Sequence, residues 1–80
     1  MTIKLNTIKD VYDFVQIVNS LPFELVGTQG RYTINCGSIL GLFSLDLLKP
    51  FEIHTDGEYG STDILFKNTF GDYEVHKDGR

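Results

Sequence analysis

Few side chains in this chain are spaced for covalent chemistry. Asp10 and Asp13 lie three residues apart on one helical pattern, where a solvated face explains them better than an acid/base pair does. His54 has a general base's chemistry, yet it occupies an alternating polar position that reads as the wet face of a sheet. His76 falls in a polar C-terminal stretch. Cys36 has no second cysteine and no nearby histidine, so it reads as a small buried strand residue rather than a nucleophile or metal ligand. Gly57-Glu58-Tyr59-Gly60 is too short and too acidic to cradle phosphate. Tyr32 and Phe51 could stack on RNA bases, but the basic aromatic signature of such sheets is missing. No enzyme activity, cofactor or metal is expected. What remains is a surface for binding, and the stretch Asn35 to Leu47 is the place to look for it.

That stretch places Ser38 where its hydroxyl can cap a helix. The helix after it is apolar almost all the way round. Ile39, Leu42, Leu45 and Phe43 offer a core stripe, and Leu40 then points elsewhere. A helix apolar on every side is normally buried on every side, which a small domain cannot easily arrange. Part of it is therefore expected to stand open as a docking surface, the alternative being a helix buried more deeply than usual.

The elements that must position this helix follow from pattern. Met1 to Asn6 begins as a strand, with Ile3 and Leu5 on one face. Thr7 caps a first helix, with Asp10 reaching back as in a capping box. Ile8, Val11, Tyr12, Val15, Val18 and Leu21 make its stripe, widened by Phe14 and Ile17, and Pro22 ends it. Phe23 to Val26 reads as a second strand, Gly27 to Gly30 as a turn, and Arg31 to Cys36 as a third strand. Lys49-Pro50 resets the chain before a fourth strand, in which Phe51, Ile53 and Thr55 alternate with Glu52 and His54. Asp56-Gly57 turns it round. A last helix from Ser61 has Phe66, Phe70 and Tyr73 along one face, and the end of the chain, 73–80, is expected to be a polar tail.

The order β-α-β-β-α-β, with a weak final helix, describes an α+β open-faced sandwich. A four-stranded antiparallel sheet would carry the helices on one face and leave the other wet. One domain spans residues 1–80. Two folds share the order, the ferredoxin-like fold and that of the phosphocarrier HPr, and strand order separates them.

Composition bounds the function. A hydrophobic fraction of 41% argues for a globular chain, and a net charge of −4 disfavours nucleic acid or an anionic membrane as partner. A single cysteine fits a reducing compartment. No signal peptide or transmembrane run is apparent, so the cytoplasm is the expected location.

The run Ile34-Asn35-Cys36-Gly37-Ser38-Ile39-Leu40-Gly41-Leu42-Phe43-Ser44-Leu45 resembles the regulatory segment of HPr, the small carrier of the bacterial sugar phosphotransferase system, where V-N-A-K-S-I-M-G-L-M-S-L is usual. Phe14-Val15-Gln16 resembles the F-V-Q of that family's first helix, at the family's own distance from the serine. The likeness covers about Thr7 to Leu47. It implies a regulatory phosphorylation site at Ser38 and a docking patch of Ile39, Leu40 and Phe43. It also implies phosphotransferase enzymes, HPr kinase or a transcriptional regulator as partners. The family's phosphoacceptor histidine, from G-L-H-A-R-P-A, falls on Thr7, its arginine on Lys9 and its proline on Asp10. A threonine phosphate is a stable ester, unlike the reactive N–P bond of a phosphohistidine. The expected role is thus regulation or docking rather than phosphate carriage. The alternatives are a ferredoxin-like module that binds a small molecule or regulates a subunit, and a genuine carrier with an atypical acceptor.

Overall fold

The computed structural model describes residues 1–55 and 63–75. In chain order the elements are β1 (Thr2–Ile3), α1 (Ile8–Asn19), β2 (Leu25–Gln29), β3 (Tyr32–Asn35), α2 (Ile39–Phe43), β4 (Phe51–Thr55) and α3 (Asp63–Phe70), with a 3₁₀ turn at Gly71–Tyr73. The fold is α+β. Four antiparallel strands run in the order β1-β4-β2-β3, so β2 and β4 are the inner pair. This order fits an open-faced sandwich and differs from the ferredoxin-like one, which would put β1 and β3 inside.

Alternation along the strands gives the sheet two unlike faces. Ile3, Leu25, Phe51 and Ile53 are buried on one of them, while Glu52 and His54 are exposed on the other. The helices supply Val11, Phe14, Val15, Val18, Leu42, Phe66 and Phe70 to the same core, joined by Leu45 just past α2, so all three cover one face. Phe14 is its centre. Its ring lies 5.3 Å from that of Phe70, 6.3 Å from Phe51 and 6.1 Å from Tyr73, the last two edge-on.

Local chemistry accounts for the ends of the elements. Thr7 caps α1, its Oγ1 accepting the Asp10 N–H at 3.0 Å. The Asp10 carboxylate accepts the Asn6 N–H rather than that of Thr7, so the reciprocal bond reaches one residue further back. α1 stops at Asn19, before Pro22. Its buried stripe is Val11, Phe14, Val15 and Val18. Ile8, 66% exposed, and Tyr12, 49% exposed, fall outside the core assigned to them by spacing, because the stripe centres on the Phe14 side.

Several boundaries differ from the expected ones: β1 is only Thr2–Ile3 rather than Met1 to Asn6, and α2 ends at Phe43, short of Leu45. β2 begins at Leu25 and runs through Gly27 to Gln29, two residues beyond the Gly-rich start of the expected turn. The hairpin closes on Gly30-Arg31 alone, with Gln29 opposite Tyr32 and Gly30 at φ 58°, where a side chain would be strained. Arg31 and Cys36 flank β3 instead of belonging to it. The polar tail starts later than residue 73. Glu74 bridges to Ile3, the Val75 N–H donates to the Thr2 carbonyl, and the Lys4 N–H donates to that of Tyr73, each of the two bonds at 2.9 Å. Residues 73–75 thus cover the outer edge of β1, which would otherwise be an open sheet edge. The expected turn at Asp56-Gly57, the Ser61 helix start and His76 lie outside the described residues.

Candidate docking surface

Ser38 sits in extended backbone at the head of α2, and its Oγ accepts the Gly41 N–H at 3.0 Å. The Ser38 N–H in turn donates to the Asn35 carbonyl. This cap sets the phase of the short helix. Leu42 is fully buried and Leu45 nearly so, which turns Leu40 outward at 83% exposure and Phe43 at 44%. Ile39 is half-buried between them. Ser38, Ile39, Leu40 and Phe43 therefore fall on one short element, with its apolar outer side standing in solvent. Leu48, 85% exposed, follows where the Asp46 carboxylate holds the Leu48 N–H, and sequence pattern did not single it out.

Neighbouring elements hold both ends of α2. Beyond its C-terminus, the Gln29 side chain meets the backbone of Asp46 twice, accepting from its N–H and donating to its carbonyl, each at 2.8 Å. At its head, the Asn35 carboxamide accepts the Gly37 N–H at 2.7 Å, and the Asn19 amide donates to the Gly37 carbonyl. Gly37 is closely enclosed. A Cβ there would lie 2.6 Å from Asn19 Oδ1, so a lysine at this position, frequent in HPr, would displace Asn19. Asn19, Tyr12 and Ile8 share one flank of α1, since spacings of seven and four residues return a helix to nearly the same side. The exposed Ile8 and Tyr12 thus lie on the flank of α1 that reaches α2, two apolar groups that spacing alone assigned to the core.

The Thr7 region is a helix cap. Thr7 is exposed, and its hydroxyl oxygen is engaged by the Asp10 N–H. Lys9 extends to Asp13, Nζ to Oδ2 2.6 Å, and this hydrogen bond together with the charge of Asp13 raises the Lys9 pKa above its ordinary value. Lys9 is therefore paired one turn along its own helix.

The remaining reactive groups are separate from one another. Burial pushes the Cys36 thiol up to about 12, so it is a protonated core residue at neutral pH. No cluster of metal-ligating side chains occurs among the described residues. Phe51 is buried under the helices whereas Tyr32 is exposed, so the two do not form a stacking platform. No helix among the described residues is long and apolar enough to cross a membrane. Comparison with protein-family models, with curated proteins and with solved structures gives no match for this chain.

Proposed function

We propose that this chain is an HPr-like domain of the bacterial cytoplasm that works by docking to other proteins rather than by carrying phosphate. The observation that carries this reading is the outward display of Leu40 and Phe43 on a helix anchored by the buried Leu42 and Leu45. Two exposed large apolar side chains on a capped element offer a partner area without disturbing the core. The likeness of the 34–45 segment to HPr and the β1-β4-β2-β3 strand order support the same assignment. Ser38 supports a regulatory role: it is half-buried at the head of α2, where a phosphate would accept backbone N–H groups and change the charge beside the patch. The partners are phosphotransferase-system enzymes, HPr kinase or a transcriptional regulator of the kind that HPr meets. Thr7 argues against carriage, because its phosphoester would not pass a phosphoryl group on at the energy of a phosphohistidine.

The test is intact mass spectrometry after two incubations, one with ATP and HPr kinase, the other with phosphoenolpyruvate and the first enzyme of the phosphotransferase system. One added phosphate from ATP, absent in Ser38→Ala, is the expected result. Label from phosphoenolpyruvate that disappears in Thr7→Ala would instead establish an atypical carrier. No label in either reaction would remove Ser38 regulation from the proposal and leave docking to stand on the Leu40 and Phe43 variants described below.

A further inference from the structure

A second surface feature lies where the end of α1, the start of β2 and the β3–α2 junction converge. It is a half-open cavity of about 190 Å³, with Asn19, Glu24, Asn35, Gly37 and Ser38 on its polar wall. Val18 and Leu25, both buried, form its apolar base.

The hydrogen bonds along the wall run in one direction. The Asn35 amide donates to Glu24 Oε2 at 3.1 Å, while its carbonyl oxygen accepts the Gly37 N–H. The Asn19 amide donates to the Gly37 carbonyl, and the Gly41 N–H donates to Ser38 Oγ. The bonds thus form a chain from Asn19 through Gly37 and Asn35 that ends on Glu24, with one N–H of each carboxamide used in it. The Glu24 carboxylate is oriented by a single bond on one oxygen, which leaves its other oxygen open. Among the described residues no lysine, arginine or histidine forms an ion pair with it. An oriented carboxylate with one oxygen open and no cationic partner among the described residues, set beside a cavity, suits a cationic ligand.

We propose that this cavity binds a guanidinium group, with Glu24 as its anchoring acceptor. Guanidinium fits better than ammonium because its planar fork can engage both carboxylate oxygens, and its weaker hydration lowers the cost of entry. The assignment rests on Glu24 and its wall, and it does not depend on the Leu40 and Phe43 patch.

The experiment is an NMR titration of the protein with N-acetyl-arginine methylamide, with the neutral isostere N-acetyl-citrulline methylamide as control. The expected result is saturable movement of the backbone amides of Asn19, Glu24, Asn35 and Ser38, with citrulline weaker by about tenfold or more. Glu24→Gln keeps an acceptor for the Asn35 amide, so the fold should persist while arginine binding falls by a similar factor. Leu40→Asp with Phe43→Asp should leave the arginine response unchanged, which separates this site from the docking reading. Equal response to citrulline, unchanged binding in a folded Glu24→Gln, or shifts scattered over other acidic residues would overturn the proposal. So would no shift up to the solubility limit of the probe.

Discussion

Ser38 and Glu52 carry the clearest consequences of single side chains. The Ser38 hydroxyl satisfies the Gly41 N–H, and Ser38→Ala removes that bond without filling or emptying the core. The expected loss is about 1 kcal/mol. For a domain of this size it should lower Tm by roughly 4–8 °C in a calorimetric or circular dichroism melt. An unchanged Tm would show that the cap contributes nothing. Glu52 accepts the Thr2 hydroxyl at 2.7 Å, and this bond, reinforced by the Met1 ammonium, holds its carboxyl below the ordinary glutamate range. Because the folded pKa is the lower one, Glu52's contribution is complete above the unfolded value of about 4.3 and is lost as pH falls through the folded value. Thr2→Val keeps the shape and removes the donor. Carboxyl-detected NMR should then show Glu52 titrating closer to the ordinary value, and an unmoved midpoint would mean that the hydroxyl is not the cause.

Among the elements, α1 contributes most to the core through Phe14, which is fully buried among Phe51, Phe70 and Tyr73. Phe14 therefore links the first helix to an inner strand and to the last helix. Phe14→Ala should cost about 3–5 kcal/mol. Against a total stability of about 5–15 kcal/mol, that is a large share. Urea denaturation should show a sharply lowered midpoint or a chain largely unfolded in water. A shift no larger than that of a surface variant would mean that the rings are not packed as described. α2 is the opposite case. Five residues cannot form a stable helix alone, so its position depends on Ser38, on the Asn19 and Asn35 contacts to Gly37, and on the Gln29 clamp at Asp46.

At the scale of the whole molecule, the division between a packed side and an open side has its own test. Leu40 and Phe43 project away from the core, so Leu40→Asp with Phe43→Asp should leave stability within about 0.5 kcal/mol per site. The same double variant should abolish capture of HPr kinase or of a phosphotransferase enzyme measured by biolayer interferometry. A folded double variant that binds as the parent does would remove the docking proposal. Loss of the fold would instead show that the pair supports the core, contrary to their exposure.

The amino-acid sequence by itself determined the element order, the caps at Thr7 and Ser38, and the inward residues of β4. These depend on local periodicity and on bonds between near neighbours, such as Thr7 with Asp10 and Ser38 with Gly41. The Leu40 side of α2 was legible for the same reason, because four large apolar residues within five helical positions cannot all face inward. Only the tertiary structure decided the strand order, since pairing of β1 with β4 joins residues about fifty positions apart and leaves no trace in local pattern. It decided too that Gly27 belongs in β2, under the Cys36 and Ile34 side chains, where the partner strand rather than the glycine sets the length of the ladder. Ile8 and Tyr12 were misassigned because hydrophobic spacing gives the direction of a face but not the width that the sheet and the other helices can cover. The cavity beside Glu24 was beyond reach of sequence altogether. Its wall is assembled from the ends of four successive elements between Val18 and Ser38, and only packing turns those ends toward one another.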